Sequence, residues 1–134
     1  MRTIEELFVD ENEVNKAELG AAIEPFARIG RSTSEAVFTA AGEGLSDQKR
    51  VLVALLVREA AVVATGGESG LSIPQIIAQT GAKADATRKA LQRLRQRKFL
   101  EKDGALWRIR RHMVGKIREY LTAEDRRAPR NPRR

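Results

Sequence analysis

The chain of 134 residues contains no cysteine and one histidine, His112. Disulfides, thiolate metal sites and a cysteine nucleophile are therefore excluded, and so is a histidine-rich metal centre. Aromatic residues make up 4% of the sequence, with one Trp and one Tyr. That is too few for the interleaved aromatic and basic surface that stacks single-stranded bases. The longest apolar run, Val51 to Val57, stops at Arg58 and Glu59, far short of a membrane span. The N-terminus, MRTIEELF, is too acidic for a signal peptide. Together these absences suggest a reducing, cytoplasmic setting. They also argue against an enzyme, because no metal-ligand cluster, phosphate loop or nucleophile–base pair is visible. No cofactor is expected.

Charge is abundant and unevenly distributed. Residues 1–47 carry 4 Lys/Arg against 10 Asp/Glu, a balance of −6, whereas residues 48–134 carry 21 against 8, a balance of +13. A segment this basic implies a polyanionic partner. The plainer interpretation of such charge is a solvated face, so the local pattern has to decide.

That pattern lies between Leu71 and Ile109. Ser72 is a good helix N-cap, Pro74 suits the first turn, and an apolar segment IPQIIAQ runs to a Thr80-Gly81 turn. A basic helix, Ala84–Arg97, follows with Arg88, Lys89, Arg93, Arg95 and Arg97. Thr87, Leu91 and Leu94, with Ala90 beside them, recur at helical spacing as an inward stripe. Asp85, Arg88, Gln92 and Arg95 form an outward one, flanked by Lys89, Arg93 and Gln96. The part-apolar runs Phe99–Lys102 and Leu106–Ile109 flank Asp103-Gly104-Ala105, a hairpin signal.

Gly81, Leu91, Leu94, Phe99 and Leu100 fall at the spacings of the pattern that links the turn, recognition helix and first wing strand in winged helix-turn-helix domains. The segment 46–110 resembles that family, known from bacterial and archaeal transcription regulators. Two positions depart from its pattern. Thr87 stands where an aliphatic residue is usual, and Lys98 where glycine usually ends the helix. Either Lys98 adopts a left-handed conformation at some cost, or the helix ends differently. The fold expected is mainly α with a small β-hairpin wing, an α+β winged helix-turn-helix with N- and C-terminal helical extensions.

The resemblance implies double-stranded DNA as partner and a regulator of transcription as function. A helix about 10–12 Å across fits the major groove, about 12 Å wide. The N-terminal half of the third helix makes Asp85, Arg88, Lys89 and Gln92 the candidates for base edges: Arg suits guanine, Gln suits adenine, and Asp accepts from cytosine. Ser72, Gln75, Thr80, Lys83, Arg93 and Arg95 are candidates for the phosphate backbone, joined in the wing by Lys102, Arg108 and Arg110. The bland alternatives are an ordinary solvent-facing helix, a simple N-cap at Ser72 and a hairpin made soluble by its cations. Trp107 reads as a core anchor under the wing, and His112 as a surface residue without chemistry.

Outside that segment, residues 1–45 form an acidic extension beyond the minimal fold. It contains an amphipathic helix or loose arm over residues 3–20, broken at Glu24-Pro25-Phe26. Residues 28–45 read as mostly irregular, with a short helix around Glu35–Ala41. The helix Asp47–Thr65, capped by Ser46 and stopped at Gly66-Gly67, is apolar around much of its circumference and reads as central. Gly66–Gly70 reads as a flexible loop. Residues 111–125 hold a last helix, His112–Arg126 at its widest, with Met113, Ile117, Tyr120 and Leu121 on one side. That stripe either makes a homodimer, which would read two half-sites, or packs within the chain. The tail 126–134, with five arginines and two prolines, reads as disordered and adds non-specific affinity for a polyanion. Two other functions fit less well: a winged-helix adaptor between proteins, with the acidic arm as a docking point, and a nucleoid or plasmid-maintenance protein that coats DNA with little sequence preference.

Overall fold

The structure, a computed structural model, describes residues 16–123. The chain runs through α1 (Lys16–Ile23), β1 (Ala27–Ile29), β2 (Ala36–Phe38) and α2 (Ala40–Glu43). It continues through α3 (Asp47–Thr65), α4 (Ile73–Thr80) and α5 (Ala84–Gln96), then β3 (Leu100–Asp103) and β4 (Leu106–Ile109). A 3-10 turn over Arg111–Met113 leads into α6 (Val114–Thr122). The described residues are thus mainly helical, with two small antiparallel hairpins, β1–β2 and β3–β4. Most of the arm expected over residues 3–20, the end of the helix expected to reach Arg126, and the basic tail lie outside the described residues.

Helix α3 is the centre. Ser46, in extended conformation, accepts the Lys49 N–H on its hydroxyl, and Asp47 sits in the positive first turn beside Arg50. All seven residues from Val51 to Val57 are buried, so neighbours surround the helix there. α1, β1 and β2 pack against α3, and so do α4, α5 and β4. Burying each of these Leu and Val side chains stabilises the fold by about 1.5–3 kcal/mol.

Helix α4 begins with a capping box. Ser72 accepts the Gln75 N–H, and Gln75 Oε1 accepts the Ser72 N–H at 2.9 Å. It ends on Gly81 at φ 74, where glycine carries no left-handed penalty. In α5 the stripe Thr87, Ala90, Leu91 and Leu94 is buried and packs on α3. Lys98 takes the left-handed alternative, at φ 68.

The second hairpin is shifted by one residue from the sequence expectation. Its register pairs Leu100 with Ile109 and Asp103 with Leu106, so Gly104-Ala105 forms the turn and Asp103 belongs to the strand. At the other end, Phe99 spends its N–H on the Leu94 carbonyl, closing α5, and only its carbonyl joins the hairpin, accepting from the Arg110 N–H at 2.8 Å. Gly104, at φ 62, then takes the first central turn position, which suits glycine. Leu71 adds a bridge to the hairpin, exchanging two 2.8 Å hydrogen bonds with Trp107. The end of the Gly66–Gly70 loop is therefore tied down. A Cβ on Gly70 would lie 2.9 Å from the Trp107 carbonyl, so the close approach requires glycine.

Two expectations are corrected at the N-terminal side. Half of the segment 28–45 is regular, in two short strands and a four-residue helix, and no helix covers Glu35–Ala41. β2 occupies Ala36–Phe38 and pairs with β1, and α2 starts only at Ala40. Three-residue strands carry almost no alternation to detect. This hairpin is held by tertiary contacts instead, among them the Ala36 N–H donated to Gln79 Oε1 of α4 at 3.0 Å. Nor do residues 16–45 stand apart from the core. Leu19, Ala22, Ile23, Phe26 and Ala27 join one cluster with α3, α5 and α6.

Helix α6 packs against α1, burying Val114, Ile117 and Leu121. Tyr120 tilts against Phe99, with ring centroids 5.6 Å apart, and its hydroxyl accepts from Gln48 Nε2 at 2.7 Å. Lys49 Nζ donates to the Ala123 carbonyl at 2.9 Å. The apolar stripe of the last helix is consumed inside the chain.

Candidate functional site

Packing α5 through Thr87, Ala90, Leu91 and Leu94 decides what its other side presents. Asp85, Arg88, Lys89, Gln92, Arg93 and Arg95 are all exposed. Arg88 Nη1 lies 3.6 Å from Asp85 Oδ1, both well exposed, a pairing worth little in water. Within the described residues the side chains of Lys89, Gln92 and Arg93 make no hydrogen bond or ion pair. The structure thus gathers the four residues assigned to base edges, together with Arg93, on one solvent-facing surface.

The residues assigned to the backbone divide. Lys83 is exposed at the start of α5. Arg95 and Lys102 are exposed, with their charges 5.9 Å and 5.3 Å from the Trp107 ring centroid. Trp107 itself is 4% exposed and anchors the hairpin in the core, as the sequence suggested. Ser72 and Gln75 spend their hydroxyl and carbonyl oxygens on the capping box, and Gln75 is exposed. Thr80 is a correction. It is buried, its hydroxyl donates to the Ile76 carbonyl at 2.9 Å, and the same oxygen accepts the Ala82 N–H at 3.2 Å. A side chain engaged on both counts inside the turn is not available to a ligand.

Arg108 is committed too. Its Nε donates to Glu101 at 2.7 Å across the hairpin, and Nη1 is 3.5 Å from Asp103. The hydrogen bond to Glu101 and the two nearby carboxylates outweigh partial burial, so the guanidinium pKa is raised above its already high ordinary value. Arg110 and Arg108 line a polar cleft of about 320 Å³ at the base of the hairpin, shared with His112 and Glu59.

Glu59 is the residue that sequence reasoning missed. It is 1% exposed in α3, and its carboxylate accepts from Ser69 Oγ at 2.7 Å and from Arg111 Nε. A buried carboxylate needs such partners. Its only sequence signal is an acidic residue just past the apolar run Val51 to Val57. The bond joins α3 to the loop before α4 and to the turn before α6.

Among the described residues no group of three or more His, Asp or Glu side chains is placed to hold a metal ion. No helix among them is long and apolar enough to cross a membrane. The chain matches no family model, no curated protein and no solved structure.

Proposed function

We propose that this protein is a winged helix-turn-helix that binds double-stranded DNA with sequence selectivity and regulates transcription. In this reading α4 and α5 are the helix-turn-helix and β3–β4 the wing, with the Leu71 bridge as its third strand. One observation carries it: α5 buries its apolar stripe against α3 and leaves Arg88, Lys89, Gln92 and Arg93 exposed together on the opposite side. A helix so presented enters the major groove, with Asp85, Arg88, Lys89 and Gln92 toward base edges. Arg93, Lys83 and Lys102 neutralise phosphates, releasing condensed counterions. No chemical step is involved, and the working place is the cytoplasmic nucleoid.

The test is fluorescence anisotropy of the full chain on a random duplex pool at three salt concentrations, followed by selection and sequencing of the bound fraction. Salt-sensitive binding with an enriched motif is the expected result. Arg88→Ala with Gln92→Ala should then weaken binding to the enriched motif far more than to random duplex. Equal losses on both would remove the base-reading assignment. Binding without enrichment would make this a coating protein with little sequence preference, and no binding at low salt would reject DNA as the partner.

A further inference from the structure

Not every cation at the base of the second hairpin is engaged. Arg108 is paired with Glu101 and Arg111 with Glu59. Arg110, half-buried between them, has a side chain with no hydrogen bond, ion pair or ring contact among the described residues. Its backbone is nevertheless fixed. The Arg110 N–H donates to the Phe99 carbonyl at 2.8 Å, one step beyond the Leu100–Ile109 pairing of the hairpin. A guanidinium carries five N–H donors, and burying them in part without acceptors costs free energy. The described residues supply no acceptor, so one from outside the chain would relieve that cost.

Arg110 lines the polar cleft of about 320 Å³. Arg108 and Arg110 alternate with Trp107 and Ile109, so they lie on the face of the hairpin away from Trp107, the ring beneath Arg95 of α5. No residue of α4 or α5 lines the cleft, and an occupant would leave the α5 surface uncovered. The walls come from α3, the loop before α4, the hairpin and the turn before α6. They are already tied to one another, since Glu59 accepts from Ser69 Oγ and Arg111 Nε, and Glu101 from Arg108 Nε. The cleft is preformed, and a ligand does not have to order it.

The charges of the walls select the ligand. Three guanidinium groups stand against the two carboxylates of Glu59 and Glu101, leaving one net positive charge with His112 neutral. A single negative charge balances it. A second one, as on a phosphate monoester, would be set against the carboxylates of the walls. The planar fork of an arginine also matches a carboxylate bidentately. We infer that this cleft binds a small monocarboxylate, with Arg110 holding its carboxylate group. This goes beyond DNA binding and does not depend on it.

His112 lines the cleft and is the one histidine of the chain, so its ring-proton NMR signals report occupancy without overlap. Sodium lactate is titrated into the full chain without DNA, at fixed pH, with sodium chloride holding the ionic strength constant. The His112 signals should follow a saturable curve with a Kd of about 1–10 mM. Arg110→Ala should melt like the wild type, because its side chain has no partner among the described residues, and should bind about tenfold more weakly. Arg110→Lys keeps the charge without the fork and should fall between the two. Inorganic phosphate should bind more weakly than lactate. A wild type without a saturable shift overturns the inference. So does an Arg110→Ala or Arg110→Lys variant that binds lactate as the wild type does, which would make the anion adventitious, or a tighter grip on phosphate than on lactate. Because DNA is absent, each of these failures leaves the reading of α5 untouched.

Discussion

The amide of Phe99 donates to the carbonyl of Leu94 at 3.1 Å, and the amide of Lys98 donates to Arg95 at 2.9 Å. This pair of bonds is the Schellman closure of a helix, with Lys98 at the left-handed position and Phe99 and Leu94 both in the core. The geometry that glycine usually serves is kept here with a side chain in place. A left-handed residue other than glycine costs about 1–2 kcal/mol. Lys98→Gly should therefore raise stability by about 1 kcal/mol, less the entropy glycine adds to the unfolded chain. Urea denaturation followed by circular dichroism measures it, and a destabilised variant would mean the Lys98 side chain contributes more than its backbone strain costs.

The other departure from the family pattern is also visible in the packing. Thr87 is 0% exposed, and its hydroxyl has no hydrogen-bond partner. Valine keeps the shape and removes the unsatisfied oxygen. Thr87→Val should stabilise by about 1 kcal/mol, read as a higher urea midpoint with an unchanged slope. Salt-dependent DNA binding should stay as it is, since Thr87 faces α3.

The ion pair between Glu59 and Arg111 is asymmetric, with Glu59 1% and Arg111 28% exposed at the side chain. Removing the arginine leaves a buried carboxylate held only by the Ser69 hydroxyl and without a countercharge, whereas removing the carboxylate leaves a cation that can reach water. Arg111→Ala should therefore cost about 3–5 kcal/mol, and Glu59→Gln clearly less. Thermal melts of the two variants decide it, and the reverse order would contradict the burial difference.

The hairpin cations differ in what they have to offer DNA. Lys102 is exposed and forms no ion pair among the described residues, whereas Arg108 already neutralises Glu101 and Asp103. Under the proposed function, Lys102→Ala should lower the slope of log K against log salt by about 1. Arg108→Ala should change that slope little and loosen the hairpin instead. Anisotropy titrations at several salt concentrations separate the two, and equal slopes for both variants would remove Lys102 from the interface.

What could be read from the chain alone was whatever is settled within a few residues. Ser46 and Ser72 start helices, Gly81 and Gly66 end them, and Thr87, Leu91 and Leu94 mark an inner face. In each case the deciding hydrogen bond or spacing spans one or two helical turns. The β1–β2 hairpin, the Glu59–Arg111 pair and the fate of the α6 stripe were decided only by the tertiary structure. Their contacts join residues far apart in sequence: Ala36 to Gln79 across 43 positions, Glu59 to Arg111 across 52, Gln48 to Tyr120 across 72. Local preference is silent on such pairs, because they form only once α3 has gathered the other elements around its buried centre.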